Sequence, residues 1–221
     1  MSFLPTGTVY GVLLNFRGEM QALAPQMSQP PYKAAPKAPV LYVKPANTWS
    51  AHGARIAVPA RVPEVEVGAT IAMIISAVSL ADPSQSAIES IANFVLMNDL
   101  SIPHASFFRP PVKFKCLDGF LGIGAHALPA SEAGDPSRFT LEVRINGEVK
   151  QTVDFENLVR NASQLLADVG EFMTLRAGDV LMLGCDTLKE GDRPLARVGD
   201  RIDISAPGFG TLSNTLVAET A

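Results

Sequence analysis

The chain has 221 residues, 47% hydrophobic and only 18% charged, enough for one sizeable packed core and too apolar for a disordered polymer. Its 18 basic and 22 acidic residues leave a net charge of −4, and no basic run interleaved with aromatics occurs, which argues against nucleic acid or anionic membrane as a main partner. The longest apolar stretch, ATIAMIISAVSLA, has 13 residues and falls short of a membrane span, while two distant cysteines, Cys116 and Cys185, and a start without a secretory pattern predict free thiols in a cytoplasmic protein.

In chain order, GTVYGVLL reads as an opening strand, followed by a polar stretch and the loop PQMSQPPYKAAPKAP. That loop's composition suits a lid, a dimer arm or a passive surface segment. VLYVK (40–44) is the next strand. EVEVGATIAMIIS raises the first chemical question, because Glu64 and Glu66 are two apart and, in an extended chain, share a face about 6.6 Å apart. Such a pair can hold a hard divalent cation, or it can be the solvated start of a strand. The apolar run that follows is too continuous for a one-sided sheet and predicts a strand buried on both faces.

Next, LADPSQSAIES carries helix-start signals: Asp82 as a cap, Pro83 at the first position, and a Ser86/Glu89 capping box one turn on. The reading takes that helix towards Phe94, with FVLMND leaving it. FTLEVRINGEVKQTVDF alternates on both sides of Asn146-Gly147, the signature of a hairpin. ENLVRNASQLLADVGEFMTL has helical spacing at Leu158, Leu165, Val169 and Phe172. VLML, RIDIS and LSNTLV close the chain as strands. The sum is a strand-rich α+β fold with two or three helices and no internal repeat.

No GxSxG elbow, Walker loop, HExxH or CxxC occurs, and His52, His104 and His126 are too scattered for a zinc site. GFLGIG lacks the strand-then-helix context of a dinucleotide loop.

Several stretches together resemble the fumarylacetoacetate hydrolase family, in the family's order and over nearly the whole chain. They are VLYVKPANT, NFVLMNDLS, KFKCLDGFLGIG, LADVGEFMTLRAGDVLMLG and GFGTLSNTLV. QPPYKAAPKAPVLYVKPANT and SIPHASFFRPPVKFKCLDGFLGIG are most similar to a subgroup of 4-hydroxyphenylacetate breakdown in which two such halves form a decarboxylase/isomerase. The resemblance implies one domain over 1–221, with a lid or arm and the first strands in 1–50 and a mixed β-roll or sandwich core in 51–221. It also implies a homodimer, or a heterodimer with a homologous second subunit.

The implied chemistry acts on oxo-diacids: decarboxylation of a 5-carboxymethyl-2-oxo-hexenedioate, then isomerisation of 2-hydroxyhepta-2,4-diene-1,7-dioate. Carbon dioxide leaves only if its electron pair flows onto the 2-oxo group, which a Mg²⁺ or Mn²⁺ ion stabilises as a Lewis acid in the family. Cationic side chains then hold the remaining carboxylates. Alternatives are a non-catalytic half that supports an intact homologue, and acylpyruvate hydrolysis.

Carried over position by position, Asp99 matches the family's metal-binding Asp of Asn-Asp. The family's two metal glutamates fall at Gly68 and Thr70, with Glu64 and Glu66 four residues upstream, on the right face but roughly 13 Å too far along the strand. That register favours a weak or absent metal site resting on Asp99. The family's lid pattern, Asn-Tyr-x-x-His-x-x-Glu, reads NFRGEMQA here: Asn15 stays, and Glu19 and Ala22 replace the His-Glu dyad. Glu19 is therefore the candidate base, acting if burial raises its pKa, or else an exposed helix glutamate. Lys115 is a catalytic candidate; Lys44 and Arg109 are candidates for substrate binding. Asp118 either orients Lys115 or opens the Asp-Gly turn. Cys185 stands where a substrate-facing threonine is expected and reads as a structural thiol.

Overall fold

The computed structural model describes residues 3–76, 87–104, 111–189 and 191–219. In chain order its strands begin with β1 (Val9–Leu13), β2 (Val40–Lys44), β3 (Trp49–Ala51), β4 (Arg55–Val58) and β5 (Val65–Glu66). The middle of the chain gives β6 (Ala69–Ile75), β7 (Ile91–Asp99), β8 (Leu121–Pro129), β9 (Thr140–Ile145) and β10 (Glu148–Asp154). The last four are β11 (Val180–Met182), β12 (Leu195–Ala196), β13 (Arg201–Ala206) and β14 (Gly210–Ala218). The helices are α1 (Arg17–Met27), α2 (Val112–Lys115), α3 (Ala130–Ala133) and α4 (Ala162–Gly170).

Two mixed sheets carry the fold. The larger runs β2-β1-β11-β6-β7-β8-β3 and the smaller β10-β9-β13-β14-β4, with β5 and β12 paired separately. β6 explains why the larger sheet is buried on both sides. Its period of two sends Ile71, Met73 and Ile75 into the core between the sheets, and Ala72 and Ile74 into a second cluster on the opposite face. In the first core, Phe139 meets Phe94 and Phe209 edge-on at 5.2 and 5.4 Å, which ties the two sheets together. The second cluster gathers Val95, Met97, Leu121 and Ile123 under Tyr42. The hairpin at Asn146-Gly147 forms as the sequence predicts, with both residues at positive φ (52° and 83°), the geometry a two-residue turn between twisted strands demands.

The structure corrects three local expectations. No helix runs to Phe94: a single 3₁₀ turn, Ala87–Ser90, leads directly into β7. Ile91, Phe94, Val95, Leu96 and Met97 are all buried between β6 and β8, and tertiary burial outweighs the capping pattern upstream. The capping residues Asp82, Pro83 and Ser86 lie outside the described residues. The later helix is shorter than its apolar spacing: α4 starts where Asn161 Oδ1 accepts the Gln164 N–H at 2.9 Å, and buries Leu165 and Val169. Leu158 and Phe172 fall outside it, and Phe172 is 57% exposed. Finally, the polar stretch after β1 is α1, whose first turn carries Glu19 inward. At 3% exposure, Glu19 is not a surface glutamate.

Candidate active site

Strand ends build the first part of the site. Asp99 ends β7, its N–H donating to the Gly68 carbonyl at 2.8 Å, and it is buried. Lys44 ends β2 and Lys115 ends α2; their Nζ atoms lie 2.8 Å from Asp99 Oδ1 and Oδ2 respectively. Tyr42, two residues before Lys44 and so on the same strand face, donates its hydroxyl to Oδ2, and Lys115 Nζ sits 4.8 Å above its ring. Gly11 pairs with Tyr42 across the strands and makes room for that ring, because a Cβ there would fall 2.1 Å from it. Lys44 also donates to the carbonyls of Phe120 (2.8 Å), Leu100 (3.3 Å) and Lys115. With its three protons on main-chain oxygens, its attraction to Oδ1 is ionic without a directed hydrogen bond.

Burial pushes the Asp99 carboxyl up, but the Lys115 and Lys44 ammoniums outweigh it and hold the acid well below the usual carboxylate range. Burial lowers Lys44, and Asp99 offsets this only in part. Burial and the neighbouring Asp99 charge raise the Tyr42 phenol well above its ordinary value, so it stays a donor.

The second part surrounds Arg193, which lies just before β12. Its Nη2 donates to Glu19 Oε1 at 2.8 Å, and Glu19 Oε2 accepts the Leu14 N–H at 2.6 Å. Arg193 Nη1 is 3.8 Å from Glu66 Oε2, an oxygen that also accepts the Ser101 hydroxyl at 2.9 Å. Glu19, Glu66, His104, Thr187 and Arg193 line a cavity of about 530 Å³, within the range of small-molecule sites. Burial raises the Glu19 pKa, with Arg193 and the Leu14 N–H opposing. The two parts act on each other electrostatically: Lys115 lowers the Glu19 pKa, and Cys185 feels both Asp99 and Arg193. The Cys185 thiol, buried between them, is pushed up to about 12, which makes it an inert packing group as its sequence context predicts.

Lys44, Asp99, Lys115 and Glu19 thus gather at one end of the larger sheet. Asp118 does not join them. It is exposed in the turn before Gly119, where its Oδ1 accepts from Asn47 Nδ2 at 2.7 Å, so of its two readings the structure has the turn. Arg109 lies outside the described residues. Glu64 accepts Arg197 Nε at 2.8 Å near the surface. Asn15 is a latch, donating to the carbonyls of Leu183 and Arg160 and accepting the Arg160 N–H. Two residues were missed by sequence reasoning. Alternation in VLYVK was signal enough for Tyr42, whereas nothing in the flanks of Arg193 marks it.

The model of the fumarylacetoacetate (FAA) hydrolase C-terminal family matches residues 8–217. The chain belongs to this family. It is 40% identical over 96% of its length to the 4-hydroxyphenylacetate degradation bifunctional isomerase/decarboxylase of Salmonella dublin, and 37% identical over the same share to that of Escherichia coli. In both cases it covers 48% of the relative, so the chain spans about half the length of the curated relatives it matches. Among solved structures it resembles 5-carboxymethyl-2-hydroxymuconate delta-isomerase from Mycobacterium smegmatis at 25% identity, with a TM-score of 0.73 over 97% of this chain and 80% of that one. The fold is also that of fumarylpyruvate hydrolase from Pseudomonas aeruginosa, solved with Mn²⁺ and pyruvate, with 22% identity and a TM-score of 0.78 over 97% and 91% of the two chains.

The family thus includes a Mn²⁺-binding member, and the residues here can be tested against such an ion. Asp99 is the one carboxylate at the corresponding place, and its oxygens face two ammoniums and a phenol. Gly68 carries no side chain, and a Cβ there would sit 2.5 Å from the Asp99 carbonyl and 3.0 Å from Cys185 Sγ. Thr70 turns its hydroxyl to the Ile71 carbonyl. Glu64 and Glu66 are held by Arg197 and by Ser101 and Arg193. Among the described residues no group of three or more His, Cys, Asp or Glu is disposed to hold a metal. The charges also balance within the set itself, with Lys44, Lys115 and Arg193 against Asp99, Glu19 and Glu66. A divalent ion wants several free oxygen donors and negative charge, and this donor set offers neither. It does not fit the ion.

Proposed function

We propose that the chain is an isomerase/decarboxylase unit acting on unsaturated oxo-diacids, moving a proton within 2-hydroxyhepta-2,4-diene-1,7-dioate after loss of carbon dioxide from a carboxymethylated precursor. The observation that carries the reading is the 40% identity, over 96% of the chain, to a bifunctional isomerase/decarboxylase. The site chemistry agrees with it. Isomerisation removes the proton from the 2-hydroxyl oxygen, shifts the double bonds by one position and adds a proton at C5. That calls for a carboxyl group able to hold and release a proton at a cavity that admits the substrate. Glu19, buried in the cavity wall and raised in pKa, supplies it. Hydrolysis of an acylpyruvate needs an activated water, and the dyad that polarises one in the family is replaced here by Glu19 and Ala22.

The test follows the dienol's ultraviolet absorbance with the purified chain, and in deuterium oxide the appearance of one deuteron at C5. Turnover that Glu19→Gln removes upholds the reading. A second reading is favoured by the half-length match to the relatives: the chain works as one of two homologous units, in a homodimer or beside a second subunit. Turnover that appears only when a homologous second half is added supports that version. Absence of turnover in both settings rejects the first proposal and the second alike.

A further inference from the structure

Of the cations that the resemblance brings to the site, Lys44, expected to bind substrate, and Lys115, a catalytic candidate, are not among the described residues that line the cavity, and Arg109 lies outside the described residues. Lys44 is enclosed by three carbonyls and Asp99, and Lys115 by Asp99 and the Tyr42 ring. Arg193 is the one lysine or arginine among the described residues that line it. Its bonding is also incomplete. Nη2 serves Glu19 at 2.8 Å and reaches the Cys185 carbonyl at 3.4 Å, but Nε is buried with no hydrogen-bond partner among the described residues. Among the described residues Nη1 has only the 3.8 Å approach of Glu66, an ion pair too long for a hydrogen bond. The Thr187 hydroxyl, in the same cavity wall, is likewise buried with no partner among the described residues.

A buried guanidinium with unused donors is costly unless something else completes it. We propose that Arg193, with Thr187 beside it, seats one carboxylate of the dioate substrate through Nη1, the guanidinium nitrogen with no hydrogen bond among the described residues. A carboxylate supplies the charged acceptor that a guanidinium donor prefers. Charge favours the same occupant. Asp192 also lines the cavity and Asp186 acts on Arg193, so the effect is local: protonation of Glu19 removes the carboxylate that neutralises the Arg193 guanidinium directly. Seating an anion there and placing a proton on Glu19 therefore assist each other, which arms the acid when substrate arrives.

This inference takes its substrate class from the proposed function, but its test reads binding and needs no turnover. Calorimetric titration with saturated 2-oxoheptane-1,7-dioate compares the wild-type chain with Arg193→Lys, which keeps a cation beside Glu19 while losing the fork. It also includes the double variant Arg193→Gln/Glu19→Gln, which keeps the pair neutral if the lysine variant folds poorly. The expected result is a loss of affinity of roughly tenfold or more in each folded variant. If 2-oxoheptanoate, lacking the second carboxylate, suffers the same loss, the C1 carboxylate occupies the seat; a loss confined to the dioate assigns C7. Unchanged affinity in the folded variants overturns the seat. Arg193-dependent binding without turnover, alone or with a homologous second half, would sink the proposed function and leave the seat standing; turnover with Arg193-indifferent binding would do the reverse.

Discussion

Asp99 and Arg193 are both buried ions flanked by two ions of opposite sign, yet their surroundings differ. Around Asp99 the partners come from strand and helix ends, and the cations are pinned by main-chain carbonyls or stacked on Tyr42. Around Arg193 one partner comes from α1, one from β5 at 3.8 Å, and part of the guanidinium has no partner among the described residues. Asp99, Lys44 and Lys115 are not among the described residues that line the cavity of about 530 Å³, whereas Arg193, Glu19 and Glu66 are. A network enclosed on all sides contributes rigidity; one with unused donors at a cavity can bind a ligand. Lysines expected to face substrate form the frame, and Arg193 is the lysine or arginine facing the cavity among the described residues.

The largest effect should follow from breaking the frame. Asp99→Ala leaves two buried ammoniums without their counter-charge, and by the usual cost of halving a buried ion cluster it should lose about 3–5 kcal/mol in urea unfolding. A loss under about 1 kcal/mol would mean that the frame is dispensable. Next comes Glu19→Gln, which preserves the shape of the Arg193 contact while removing the titrating proton. Turnover of the dienoate should fall by about 10²-fold or more, with the unfolding midpoint little changed. A fall in stability that matches the fall in turnover would move Glu19 from chemistry to structure. Tyr42→Phe should cost less, about 1.5–3 kcal/mol, because it removes one hydrogen bond to a charged oxygen and leaves both ammoniums in place.

The two carboxyls should also respond to pH with opposite sign. Asp99 is held below its unfolded value, so its contribution is present above roughly pH 4 and is lost as pH falls towards its depressed folded value. Glu19 is raised, so protonation favours the folded state and stability declines as pH climbs from the unfolded carboxyl value through the folded one. Unfolding curves of the wild-type chain and Glu19→Gln should therefore diverge as pH rises across that window, the variant holding its stability better. Parallel curves would place Glu19 in water.

Much of the frame was legible from sequence, and the reason lies in period two. The run ATIAMII had to be buried on both faces, the hairpin at Asn146-Gly147 had only one geometry, and VLYVK brought Lys44 to a strand end beside the Asn-Asp end of β7. Where local signals compete with burial the sequence misleads: the caps at Asp82 and Ser86 point to a helix, yet Ile91–Asp99 is claimed by its neighbours in the sheet. Arg193 was illegible for another reason. It sits 174 residues from Glu19, on an irregular stretch whose path is set by β5 and β12 pairing, and no periodicity reports such a meeting.

The smallest effects should come from the glutamates that first drew attention as a metal pair. Glu64 meets Arg197 near the surface, where water and salt screen the attraction, so Glu64→Ala should leave both the unfolding midpoint and turnover unchanged. Glu66 lies two residues further along, but Ser101 and Arg193 hold it, and Asp99 is already paired with two ammoniums. Titration with Mn²⁺ up to millimolar concentration should therefore give no heat that Asp99→Asn abolishes. A saturable heat lost in both Asp99→Asn and Glu66→Gln would mean that an ion can displace Lys115 from Oδ2 and draw Glu66 across from Arg193. The closed cluster would then be one state of two, and the contrast between frame and cavity would have to be redrawn around the metal.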